Sequence, residues 1–364
     1  MNINAHKDLY LPQERYSSVV YMLSEIREQP QAFARIVSEE WETAVSIAKH
    51  ARARNIRFAV IAARGSSDNA AVFGKYLLEI QNGIPVSLAS PSAFGLYEAR
   101  MDLSGVLVIG ISQSGEAPDV VEVLVRAREM GALTVAITNT PGSPLASASE
   151  HVILCRAGEE KSVAATKTYM NSIGALYLLS AALGGRDPNL LDYVRKLPEH
   201  MEQVLHLESE IAGKVERYRY MEECVVISRG LNLCTAFETA LKLTETCYIV
   251  AKPYSASDFL HGPIAMVEQG FPCLMFAADG PCMPGLLDLC ANLRERGAEL
   301  VVFSSNPSLL ENATTKFAVS TDLPEVATPP IYVIAGQLFS CYLSITRGLD
   351  PDRPRGLKKV TRTR

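Results

Sequence analysis

The chain has 364 residues, 48% of them apolar and 21% charged, with a net charge of −5. That length can bury two domain cores, and no apolar run reaches the roughly 18 residues of a membrane span. The acidic balance argues against a nucleic-acid partner, which would require a basic face.

From the N-terminus, residues 1–12 carry Asp, Lys and His and no apolar signal core, so a cytoplasmic protein is expected. The eight cysteines lack CxxC spacing and sit in apolar stretches, as reduced, buried thiols do. Residues 18–49 read as helical. Apolar runs at 58–63, 106–111, 133–138 and 151–155 read as strands, with helix-length segments between them. The longest apolar run, 173–183, contains Gly174 and Ser180. A polar stretch at 186–197 suggests a boundary. A second series of strands follows at 224–228, 272–277, 300–304 and 317–319. The one basic cluster is the tail, 353–364.

The two series repeat at an offset of 165 residues: Arg64-Gly65 matches Arg229-Gly230, Phe94 matches Phe259, Gly105 matches Gly270, and Gly115 matches Gly280. Strands apolar throughout are buried on both faces, as in parallel sheets between helices. The expected fold is therefore α/β, a tandem duplicated three-layer α/β/α sandwich with parallel sheets. Its divisions are an N-terminal helical segment (1–49), a first domain (50–190), a second domain (198–347) and a C-terminal tail (348–364).

In such sheets ligands bind beyond the carboxyl ends of the strands, at helix N-termini whose free N–H groups favour anions. Two first-copy strands end in hydroxyl-rich turns, Arg64-Gly65-Ser66-Ser67 and Ser112-Gln113-Ser114-Gly115. Serines also cap helices, which for either turn alone is an equally good reading. The second copy has Ala277-Ala278-Asp279 at the positions of Ser112 to Ser114. A carboxylate there would repel phosphate, so one phosphate site per chain is expected, in the first copy. No GxxxxGK[ST] and no GxGxxG after a strand is found, and the six scattered His residues lack metal spacing. Neither cofactor nor metal is expected.

Glu238, Lys242 and Glu245 fall at i, i+4 and i+7, on one helical face. Taken alone they read as a solvated Glu–Lys face. Starting just past Arg229-Gly230, however, that helix could line the site and supply a base. His261, within Phe259-Leu260-His261-Gly262-Pro263, is an imidazole in an apolar stretch before a turn, a setting more typical of a core histidine.

Taken together, Ile111-Ser112-Gln113-Ser114-Gly115-Glu116, VAATK from Val163, ETALKLTE from Glu238, His261-Gly262-Pro263 and the tail motif PRGLKKV from Pro354 resemble the sugar isomerase (SIS) family. The resemblance is to the isomerase half of glucosamine-6-phosphate synthase, and it runs from Met22 nearly to the C-terminus. It implies that Gly65, Ser66, Ser67, Ser112, Gln113, Ser114, Val163 and Ala164 bind the sugar phosphate, with Glu238 and Lys242 lining the site. Glu245 would be the base between C2 and C1. His261 would open the ring, reached from the neighbouring subunit of a homodimer with shared active sites. Lys359 would close over the open-chain sugar.

Two departures from the synthase pattern bear on function: no glutaminase is expected ahead of Met22, and Ala117 replaces a threonine of the phosphate loop. RGSSD from Arg64, RAGEEKSVAATKTY from Arg156 and FLHGP from Phe259 look like the isomerising glucosamine-6-phosphate deaminases of the family. That resemblance implies conversion of glucosamine 6-phosphate and water to fructose 6-phosphate and ammonia. The alternatives are a deaminase or deglycase for galactosamine 6-phosphate or a fructosamine 6-phosphate, or a non-catalytic sugar-phosphate sensor.

Overall fold

The computed structural model describes residues 20–359; the expectations for residues 1–19 and for the tail beyond Lys359 lie outside the described residues. Among the described residues, helices Tyr21–Arg27, Gln29–Glu39 and Trp41–Ala53 precede the first strand. The first sheet holds β1 (Phe58–Ala62), β2 (Val86–Leu88), β3 (Val106–Ile111), β4 (Leu133–Thr138) and β5 (His151–Leu154) in the order β2-β1-β3-β4-β5. The second holds β6 (Glu223–Ser228), β7 (Val250–Ser255), β8 (Pro272–Ala277), β9 (Glu299–Ser304) and β10 (Thr315–Ala318) in the order β10-β9-β8-β6-β7. Read from the other edge, the second order is the first repeated, and every described pairing is parallel. The chain is thus a duplicated α/β unit.

The central strands are the ones legible from composition. Every residue of β3 and β4 is buried, because helices cover both faces. The sequence reading missed β2 and β7. β2 has three residues, and β7 contains Lys252 and Pro253 with Val250 well exposed. Both are edge strands, where one face and one flank stay wet and apolar continuity is not enforced. The last strand lies at 315–318 rather than 317–319.

One apolar cluster joins the two copies. It runs from β1 through Phe73 and Leu176 to Leu243, Ile331 and Phe339. Helix Lys167–Leu183 is buried along 14 of its residues and Pro329–Thr346 along 16, so neither reads as amphipathic. Among the described residues, no helix is long and apolar enough to cross a membrane. The segment 186–197 enters helix Leu190–Leu205, whose Val194, Leu197 and Met201 belong to the shared cluster. This shared core brings helix Ser66–Leu77, which follows β1, against helix Leu233–Cys247, which follows β6. These are equivalent helices of the two copies, and the candidate site lies where they meet.

Candidate active site

Gly65, three residues past the end of β1, has φ +58, in the left-handed region, and from it the chain turns directly into helix Ser66–Leu77. That turn sets Ser66 and Asn69 on one face, three residues apart. From there Ser66 Oγ donates to Glu238 Oε1 (3.0 Å) and Asn69 Nδ2 donates to Oε2 (2.8 Å). Lys242 Nζ lies 3.4 Å from Glu238 Oε1 and donates to Ser66 Oγ (3.2 Å) and Glu245 Oε2 (2.6 Å). Glu238 and Lys242 are wholly buried, whereas the Glu245 side chain keeps 22% of its exposure. The face that could have been solvated is covered by the first copy.

Burial sets the electrostatics. It pushes the Glu238 carboxyl up to about 7, against the pull of Lys242 and the Asn69 hydrogen bond. Burial opposes the Lys242 charge too, but Glu238 and Glu245 outweigh it and hold the ammonium above the ordinary lysine value. Glu245, the member of this group that reaches solvent, is held by a permanently charged neighbour.

The second hydroxyl-rich turn follows β3. Ser112 is buried, and Gln113 and Ser114 are half-buried. The Gln113 carbonyl accepts from Asn139 N (3.0 Å) and Thr138 Oγ1 (3.1 Å), and Ser114 Oγ accepts from Glu116 N (3.2 Å). Gly115 has φ +66, and a Cβ there would stand 2.1 Å from Ser143 Oγ, so this turn tolerates only glycine. Among the described residues, the hydroxyls of Ser67 and Ser112 and the side-chain amide of Gln113 have no protein hydrogen-bond partner. Ser66, in contrast, is engaged by Glu238 and Lys242.

The loop with Val163 and Ala164 forms a third part. Ala164 is buried, and Val163 N donates to Asp352 O (3.1 Å) in the C-terminal segment. Asp352 also accepts from Tyr21 N (2.8 Å) and Met22 N (2.7 Å), capping the first helix. Farther along, Arg355 N donates to Tyr248 Oη (2.9 Å), and the Arg355 guanidinium lies 3.9 Å over the Tyr248 ring. Lys359 Nζ then reaches Glu160 Oε2 at 3.0 Å and donates to the Ser162 carbonyl. The tail therefore lies across the 160–164 loop.

His261 is placed differently. It caps helix Ala256–Leu260 and is exposed rather than in a core. Among the described residues no hydrogen bond or ion pair joins its ring to Glu245, Lys242 or Lys359. Sequence reasoning missed three members of the site: Asn69, Glu160 and Glu25. Glu25 accepts the backbone N–H groups of Lys161 and Ser162, and burial pushes its carboxyl up to about 7. A helical wheel from Ser66 would have flagged Asn69. For Glu25, whose partners lie 136 and 137 residues away, no sequence signal exists.

Comparison with known proteins adds context. The SIS domain profile matches residues 53–182 and 222–347. Over 341 residues the chain is 36% identical to the isomerizing glutamine–fructose-6-phosphate aminotransferase of Methanothermobacter thermautotrophicus, covering 93% of this chain and 57% of that one. It spans 57–58% of the length of the curated relatives it matches. Among solved structures, a candidate phosphosugar isomerase from Silicibacter pomeroyi DSS-3 is 33% identical with a TM-score of 0.82, covering 92% of this chain and all of that one. The C-terminal domain of glucosamine-fructose-6-phosphate aminotransferase from Francisella tularensis is 26% identical with a TM-score of 0.81, covering 94% of this chain and 99% of that one.

Proposed function

The chain belongs to the SIS domain family, and on that premise we propose that it is an enzyme that isomerises a phosphorylated amino sugar, releasing ammonia and fructose 6-phosphate from glucosamine 6-phosphate and water. The observation that carries this reading is Glu245: a carboxylate partly open to solvent, fixed 2.6 Å from a buried ammonium that also donates to Ser66 in the first copy's turn. A proton carrier between adjacent carbons needs that combination of access and rigid placement.

In the proposed reaction the phosphate rests on the Ser67 and Ser112–Ser114 turns, whose hydroxyls and helix N-termini favour an anion. His261 of a second subunit opens the pyranose. Glu245 removes the C2 proton, and the electron pair moves through C1 onto O1, which takes up a proton. Glu245 then returns its proton to C1, leaving an iminium at C2. Water adds to C2 and ammonia leaves, giving the ketose. Lys242 stays charged and holds Glu245 in place, and Lys359 presents an ammonium to the open-chain sugar.

A second reading is favoured by the names of the relatives at 31–36% identity, which are isomerizing aminotransferases. The same sugar chemistry would then run toward glucosamine 6-phosphate when ammonia is supplied. The test is to incubate the protein with glucosamine 6-phosphate, following ammonia and fructose 6-phosphate together, and in parallel with fructose 6-phosphate plus ammonium. Equal release of both products supports the deaminase. Formation of the amino sugar with negligible release supports the second reading. Inactivity in both directions, and on galactosamine 6-phosphate and fructosamine 6-phosphates, would leave a sugar-phosphate sensor.

A further inference from the structure

Glu160 is the carboxylate the sequence did not single out, and its surroundings are unusual. Its side chain is completely buried, yet it accepts from Thr166 N (2.9 Å), Thr168 N (3.1 Å) and Thr168 Oγ1 (2.7 Å), at the start of helix Lys167–Leu183. Its remaining bond goes to Lys359 Nζ, across 199 residues of sequence. A buried carboxylate with this many donors remains ionised. Burial alone would raise its pKa, but Lys359 and the threonine donors outweigh that and hold it below the ordinary range.

The charged groups around it form a continuous set. Glu160 adds to the burial that raises the Glu25 carboxyl of the first helix, and Lys242 from helix Leu233–Cys247 feels the Glu160 field. Lys167 is turned elsewhere, donating to Glu28 Oε2 (2.6 Å) and Glu159 O (2.7 Å). Lys359 is therefore the cation that hydrogen-bonds Glu160 directly.

We propose that Glu160 is a positioning residue that seats the tail lysine: its fixed carboxylate receives the Lys359 ammonium and so holds the C-terminal tail closed across the Ser162–Ala164 loop. The other moorings of the tail stop short of Lys359. Asp352 anchors its beginning, and Arg355 rests on Tyr248, while residues 355–358 are exposed. Among the described residues beyond Arg355, Glu160 and the Ser162 carbonyl hold the lysine in register. The catalytic value of that seat rests on the function proposed above, but the mechanical role of the latch does not.

The experiment therefore has two arms. In the first, without substrate, trypsin cleavage between Arg355 and Gly356 is timed in the wild type, Glu160→Gln, Lys359→Met and the double variant. Losing the charge-assisted hydrogen bond to Glu160 predicts about tenfold faster cleavage in Glu160→Gln and at least that in Lys359→Met, which also loses the Ser162 carbonyl, with the double variant no faster than Lys359→Met. Glu160→Asp should recover part of the protection. Unchanged cleavage in Lys359→Met, which leaves the buried side intact, overturns the proposal even if Glu160→Gln fails to fold. So does an additive double variant.

In the second arm, turnover of glucosamine 6-phosphate should fall in kcat in Glu160→Gln and further in Lys359→Met, which also removes the ammonium offered to the sugar, with the double variant no lower than Lys359→Met and KM moving less. Independent losses in kcat would overturn the positioning role. Absence of turnover in the wild type would reject the function while leaving the cleavage result to decide the latch.

Discussion

The two copies share a frame and have divided the work. In the first copy the crevice after β1 is open: nothing lies within 4 Å of a Cβ built on Gly65, and the turns there are rich in hydroxyls. In the second copy the matching crevice is filled by the protein's own carboxylates. Asp279 accepts from Ser305 Oγ (2.7 Å). A Cβ on Gly230, the equivalent of Gly65, would fall 2.9 Å from Cys282 Sγ and 3.3 Å from Glu325 Oε1. The helices show the reverse division. At the offset of 165, Glu238, Lys242 and Glu245 align with Phe73, Leu77 and Ile80. One copy thus carries hydroxyls on its loops, and the other carries carboxylates and an ammonium on its helix. Because the shared core packs those helices together, the proposed site draws on the loops of one copy and the helix of the other.

The sharpest way to break this division is to neutralise the helix of the second copy. Glu245→Gln should lower kcat by roughly a thousandfold, within the range of a lost general base, with substrate binding retained in calorimetry. Residual turnover near wild type would remove Glu245 from the chemistry. The loops come next. Ser112→Ala combined with Ser114→Ala should raise KM about a hundredfold, at roughly tenfold per hydrogen bond to a charged oxygen. Asp279→Ser in the second copy should leave KM unchanged. A second binding event in that variant would show that the other crevice is latent rather than closed.

A smaller contrast separates two equivalent glycines. Gly115→Ala forces a left-handed residue and a clash with Ser143, so it should cost about 2 kcal/mol in urea unfolding. Gly280→Ala meets mainly the Glu325 carboxylate, which can swing aside, and should cost less. Equal losses would mean that Glu325 is as fixed as Ser143.

The last contrast is a pH dependence. The Glu238 carboxyl is raised from 4.5 to about 7 by burial, so the stability it lends is full below pH 4.5 and is lost as pH rises through about 7. Thermal melts of the wild type and Glu238→Gln should therefore diverge between pH 5 and 8, with the wild type falling relative to the variant. Parallel melting curves would mean that Lys242 compensates the charge at every pH.

By itself the sequence determined the duplication, the parallel sheets and the hydroxyl-rich composition of the turns. Strands covered on both faces must be apolar throughout, and anion-binding turns need glycine and hydroxyls within a few residues. Such requirements are local, and local patterns are readable. It also placed Glu238, Lys242 and Glu245 on one face, but not whether that face was wet. Tertiary structure decided that, because desolvation depends on which element arrives to cover a surface, here a helix 172 residues away. The edge strands β2 and β7 escaped notice for the same reason, since partial exposure removes the constraint that makes a strand visible. The contacts of Glu25 and Glu160 were equally hidden. A buried carboxylate and an exposed one look alike in a sequence, and only the packing of distant segments supplies the donors that let a charge stay inside.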